Sequence, residues 1–223
     1  MRPAPSDEQT TRTEVRRHPE RGAYDRSVID EILDEALFCH VGFVHEGQPF
    51  VIPTIHARAG DTLFIHGSPA SRMLRELADE VDVCVTVTLL DGLVLARSVY
   101  NHSMNYRSVV VLGRARRLSD RGQKLAALEA IVEHVVPGRW GDARQPTEKE
   151  LAGTLVLALP LDEASAKMRS GPPKDFQADV DLPIWAGVIP LSLRSSLPAA
   201  DPSLVPGIPL PPYLEKPDLR LED

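Results

Sequence analysis

Between Cys39 and Ala115 the sequence carries six runs of strand-forming residues, broken once by a helical pattern. The runs are Cys39 to Val44, Phe50 to Ala57, Leu63 to Ile65, Val83 to Leu89, Leu93 to Ala96 and Asn105 to Ala115. His45-Glu46-Gly47-Gln48, Gly60-Asp61 and Asp91-Gly92 separate neighbouring runs, and links this short join antiparallel strands. An antiparallel sheet must hide its edges, so six strands in close succession predict a barrel that closes on itself. Gly113 is expected to form a bulge near the end of the last run. Pro53 interrupts a good strand pattern and cannot donate to a ladder. Either it marks a simple edge, or it leaves irregular backbone at Pro53-Thr54 that can face a ligand.

The helical insertion is the most informative local stretch. Leu63 to Ile65 runs into His66-Gly67-Ser68-Pro69 and then into a pattern with Met73, Leu74 and Leu77 on one helical face. Gly67 gives the turn its freedom, Ser68 is placed as the N-cap and Pro69 as the first helical residue. A helix start offers unpaired amides and partial positive charge. The Ala70 and Ser71 amides, the Ser68 and Ser71 hydroxyls and the Arg72 guanidinium therefore make a candidate phosphate turn. The alternative is an ordinary capped helix without ligand.

Around this centre the chain predicts helices from Ser27 through Ala36 and over about 120–136, and a short one at Thr147 to Leu151. Thr154 to Pro160 reads as a strand, and Glu163 to Arg169 reads as helical. Residues 1–20 are expected to be a flexible arm, 21–192 a single barrel domain, and 193–223 an extended proline-rich tail that wraps over the domain or a partner.

A net charge of −7 over 223 residues argues against general nucleic-acid binding, which needs a basic footprint. No apolar run reaches the ~20 residues of a membrane span, and Met1 to Arg21 has no apolar secretory core, so a cytoplasmic protein is expected. Cys39 and Cys84 sit in strand-like runs without metal-ligand spacing and read as buried thiols. None of the seven histidines forms the i, i+4 pair of a zinc enzyme, and neither a nucleophile elbow nor a Walker loop is present. A phosphate turn without its own acid, base or nucleophile points to a cofactor as the reactive group.

Several segments together resemble the flavin-nucleotide-binding split β-barrel family of pyridoxamine 5′-phosphate oxidase, in its nitroimidazole-resistance-like branch. They are His18 to Arg21, Gln48 to Thr54, His66 to Arg72, Asp91 to Ser98, Asn105 to Val110 and Trp185 to Leu191. The resemblance implies a mainly β fold with peripheral helices, a six- to seven-stranded antiparallel split β-barrel, and a homodimer with FMN in a cleft between subunits. It implies Pro53 and Thr54 against the flavin ring, and His66, Gly67, Ser68, Ser71 and Arg72 around the ribityl phosphate. Arg107 and Ser108 would approach the cofactor or support the dimer, and Trp185 would close the site. Met73 stands where the oxidase carries a lysine, and the oxidase's substrate-phosphate residues have no counterpart near the C-terminus. Oxidation of pyridoxamine phosphate is therefore not implied, and catalytic residues stay unassigned. The expected function is an FMN-dependent oxidoreductase taking a small-molecule substrate and electrons from a nicotinamide donor. Deazaflavin would fit the same phosphate seat. The rival readings are a haem-binding or haem-handling protein with an axial histidine such as His102, and a non-enzymatic flavin store or interaction module.

Overall fold

The computed structural model describes residues 11–215. The first ten residues of the expected arm and the last eight of the expected tail lie outside the described residues. In chain order the elements begin with β1 (Gly22–Ala23), α1 (Arg26–Glu35), β2 (Phe38–His45), β3 (Gln48–Ala59), β4 (Thr62–Gly67) and α2 (Arg72–Ala78). The long hairpin of β5 (Asp82–Leu95) and β6 (Ser103–Arg114) follows, then β7 (Arg116–Arg117) and the helices α3 (Arg121–Val135), α4 (Arg139–Asp142) and α5 (Glu148–Ala152). β8 (Leu155–Pro160), β9 (Glu163–Arg169) and β10 (Gly187–Pro190) complete the sheet.

Among the described residues the ten strands form one antiparallel sheet, ordered β1-β9-β6-β5-β2-β3-β4-β8-β7, with β10 paired to β5. This is a mainly β split barrel, with more strands than the six or seven expected. Its ladder runs open from β1 to β7 instead of closing. The expected turn at Asp91-Gly92 is instead a bulge: β5 continues through it opposite β6, and the register shifts between Leu90 and Gly92. Gly113, expected to bulge, pairs in regular register with Val83. Residues 163–169, expected as helix, form a strand held on one edge by β6 and on the other by β1. The residues of Glu163 to Arg169 favour helices, but two waiting strand edges outweigh a propensity of a few tenths of a kcal/mol per residue.

Pro53 sits where an edge proline belongs. Residues 48–55 of β3 pair with β2, and β4 joins the other edge only from His56 onward. Pro49 and Pro53 are four residues apart, so both turn their missing donor to that open edge.

The main core lies between the curled sheet, α1 and α2. Ile29, Ile32 and Leu33 of α1 and Met73, Leu74 and Leu77 of α2 pack with Val41, Ile65, Val85, Val109 and Leu157. β8 is buried on both faces, which explains its unbroken apolar run. Leu155, Leu157 and Leu159 enter the main core, whereas Val156 and Ala158 meet Ala127 under α3. No helix among the described residues is long and apolar enough to cross a membrane. Leu157 is fully buried, so Leu157→Ala should lower stability by about 2–5 kcal/mol, read from the midpoint of urea unfolding.

Candidate functional site

The pleat decides which residues meet outside the core. Cys39, Val41, Val85, Val87 and Val109 point inward, so Phe38, His40, Thr86, Thr88 and Ser108 share the opposite face. Register places Phe38 beside Ile55, His40 beside Pro53, and Thr88 beside Ser108. Phe38, Val51, Ile55 and Leu90 stay exposed on this face, Val51 by 68%. Pro53 and Ser108 thus lie on one open, largely apolar sheet face. Thr54 pairs with Cys39 and belongs to the inward set.

The turn after β4 gathers His66, Gly67, Ser68, Ser71 and Arg72, but its helix starts three residues later than expected. Ser71, not Ser68, is the N-cap, with its Oγ accepting the Leu74 amide at 3.5 Å. Ser68 closes the preceding turn: its Oγ accepts the Ala70 amide at 3.1 Å and its carbonyl accepts the Ser71 amide at 2.9 Å. The two amides that the sequence offered to an anion are therefore used internally. The first-turn donors of α2 are those of Arg72 and Met73. Arg72 lies over the Phe50 ring at 4.1 Å, tying α2 to the open-edged half of β3. A Cβ at Gly67 would meet Leu74 Cδ1 at 2.9 Å and would make that side chain shift. His66 Nδ1 is buried without a hydrogen-bond partner, and burial pushes this imidazole below its ordinary pKa.

Arg107 is placed differently from the other candidates. Its Nε donates to Asp91 at 3.1 Å, its Nη2 to both Asp91 and Glu35 at 2.8 Å, and its Nη1 to Glu35. The two carboxylates push its pKa further up and tie α1 to the β5 bulge. Ser108 Oγ donates to the Lys167 carbonyl at 3.0 Å. Trp185 is exposed just before β10 and folds against Gly187, where a Cβ would meet the indole at 2.8 Å.

Sequence reasoning missed the clamp that holds the segment leading to Trp185. Asp175 accepts the Arg97 amide at 2.9 Å and Arg97 Nη1 at 2.8 Å, and is itself 4% exposed. These hydrogen bonds hold its carboxyl below the usual range against the opposing effect of burial. No local signal reveals a pair separated by 78 residues.

The open-edged antiparallel sheet with its flanking helices is that of a split β-barrel. The profile of the pyridoxamine 5′-phosphate oxidase family matches residues 25–168, and the chain belongs to that family. It is similar to the flavocytochrome Anf3 of Azotobacter vinelandii, with 42% identity over 94% of this chain and 98% of that one, and a TM-score of 0.89. It is also similar to the FAD and haem binding protein of Mycobacterium smegmatis, with 38% identity over 87% and 96% of the two chains and a TM-score of 0.84. A Bacteroides thetaiotaomicron protein named for 5-nitroimidazole antibiotic resistance shares 27% identity over 64% of this chain and 83% of that one, with a TM-score of 0.53. No curated protein sequence matches.

The half-buried His66 carries a pH consequence. Its pKa is depressed below 6.5 in the folded state, so the unfolded chain binds more protons and stability is lost as pH falls below that value. Urea unfolding followed from about pH 7.5 to about pH 5.5 should show this loss, with a shallower slope in His66→Gln.

Proposed function

We propose that the protein is a flavin-binding redox protein that also carries haem, with its flavin held between two copies of the chain. The observation that carries this reading is near-full-length likeness, at 42% and 38% identity, to a flavocytochrome and to a protein named for FAD and haem. The flavin of this reading is FAD in place of the FMN that the family resemblance implied, because the second of these relatives is named for FAD.

The residues present fit a flavin. His66 Nδ1 is a buried polar atom lacking a partner beside the Gly67–Ser71 turn. Arg72 brings a cation with no hydrogen-bonded carboxylate partner to the same turn, and the flanking sheet face is apolar enough for a ring system. In this reading Arg72 and His66 face the phosphates, Pro53 keeps a donor off the open edge of β3, and Trp185 covers the ring. Bound flavin supplies the acceptance and release of electrons, with a nicotinamide donor and a small-molecule acceptor as partners. The chain's own part is to seat the ring, exclude water from it and hold its charged end. The purified protein should show flavin absorbance or take up added FAD, and chromatography of the released cofactor identifies it. Absence of any flavin uptake would overturn the reading. Arg72→Ala should weaken flavin binding by about 1.5–3 kcal/mol in a fluorescence titration.

The exposed face supports the second copy of this reading. Phe38, Val51, Ile55 and Leu90 lie open to solvent on one sheet face, an arrangement that marks an interface. Light scattering should give twice the 24.5 kDa chain mass. Val51→Glu should shift the mass toward one chain and lower flavin affinity, since half of the cleft leaves with the partner.

A further inference from the structure

We infer that haem docks on the turn from Ser98 to His102, with His102 Nε2 as an axial ligand of the iron. This rests on the haem part of the reading above and gives it a place on the chain. The His102 ring is exposed, and its Nδ1 lies 3.0 Å from the Ser98 carbonyl. A carbonyl can only accept, so Nδ1 carries the proton and Nε2 keeps the lone pair that a metal needs. A backbone carbonyl behind one ring nitrogen is the usual support of a metal-bound imidazole.

The surroundings of His102 match the rest of a haem. Val99 and Tyr100, on the same turn, are 90% and 81% exposed, far beyond what isolated apolar residues of a folded domain require. Phe176 stacks on Tyr100, with centroids 6.0 Å apart and planes at 23°. Phe176 reaches this position because its neighbour Asp175 is clamped by Arg97, one residue before the turn. The platform is therefore a single body built from two distant segments. Two buried donors in the same stretch, Arg97 Nε and Asn101 Nδ2, have no hydrogen-bond partner. A ligand with a metal centre, a flat apolar body and carboxylate acceptors answers all three features, and haem with its propionates has that composition.

The other imidazoles are engaged elsewhere. His18 and His45 meet the carboxylates of Glu20 and Glu76. His56 and His134 bond to the Leu33 and Ala36 carbonyls beneath α1. His66 belongs to the flavin turn, and His40 lies on the sheet face assigned to the second copy.

The experiment is haem titration of the full-length protein, followed by its Soret band. The wild type should bind haem with a shifted Soret maximum. His102→Gly should lose at least about tenfold in affinity and change the spectrum, and free imidazole should restore the wild-type band while flavin content and assembly mass stay unchanged. Val99→Glu, which leaves the ligand but spoils the platform, should also weaken haem by at least about tenfold, and serves if the glycine variant does not fold. Haem uptake by the wild type with an unchanged spectrum and affinity in both variants would overturn this site while leaving the haem reading standing. Failure of the wild type to take up haem would overturn both.

Discussion

The fold depends on one long strand whose two edges are occupied by three partners. β5 runs for 14 residues and is paired with β6 along nearly its whole length. Its other edge is shared: β2 takes Cys84 to Thr86, and β10 takes Gly92 to Leu95. The bulge between Leu90 and Gly92 separates these two halves. It adds local twist, so the strand serves the core at one end and the C-terminal segment at the other. Gly92 permits the close approach of β10, since a Cβ there would lie 3.0 Å from both the Ile189 carbonyl and Val188 Cγ1. The Asp91 carboxylate meanwhile holds Arg107, and its carbonyl accepts the Leu191 amide at 3.0 Å. One irregularity thus joins α1, β6 and the strand that follows Trp185.

The inner and outer faces of this sheet obey different physics. Inward residues are driven by burial: the three leucines of β8 and the valines of β5 and β6 fill a core closed by α1 and α2. Outward residues remain half polar and half apolar, with a proline-bearing open edge and exposed Phe38, Val51 and Ile55. A face of that kind is poorly satisfied by water alone, and a planar ring or a second sheet satisfies it better. The charged groups sit at the ends of the strands. There they link elements, as Arg107 links α1 to the bulge and Arg97 links β5 to the segment bearing Phe176.

The legible parts of the sequence were those in which local chemistry and tertiary context agree. The turn from His66 to Arg72 was readable because a glycine, two serines and an arginine follow one another directly. Thr147 with Glu150 was readable as a helix start, and the structure shows both halves of the capping box. Pro53 was readable as an edge residue because a missing donor has few places to go. Misreadings fell where context prevailed. Glu163 to Arg169 has helical composition but is claimed by two strand edges, and Asp91-Gly92 has turn composition but sits inside a continuous ladder. Ser68 looked like the cap, yet its own hydroxyl and carbonyl are used three residues too early to begin the helix.

By itself, the sequence determined most of the strands and helices, the glycine-serine-arginine turn after β4 and the family to which the chain belongs. All of these rest on residues within a few positions of one another. Only the tertiary structure decided that Pro53 and Ser108 share a face while Arg107 turns to α1. It also decided that β10 returns to β5, and that Asp175 carries Phe176 to the turn of His102. The physical reason is pairing across distance. Strand register and buried ion pairs join residues tens of positions apart, and no periodicity or local propensity records which edge a strand will find.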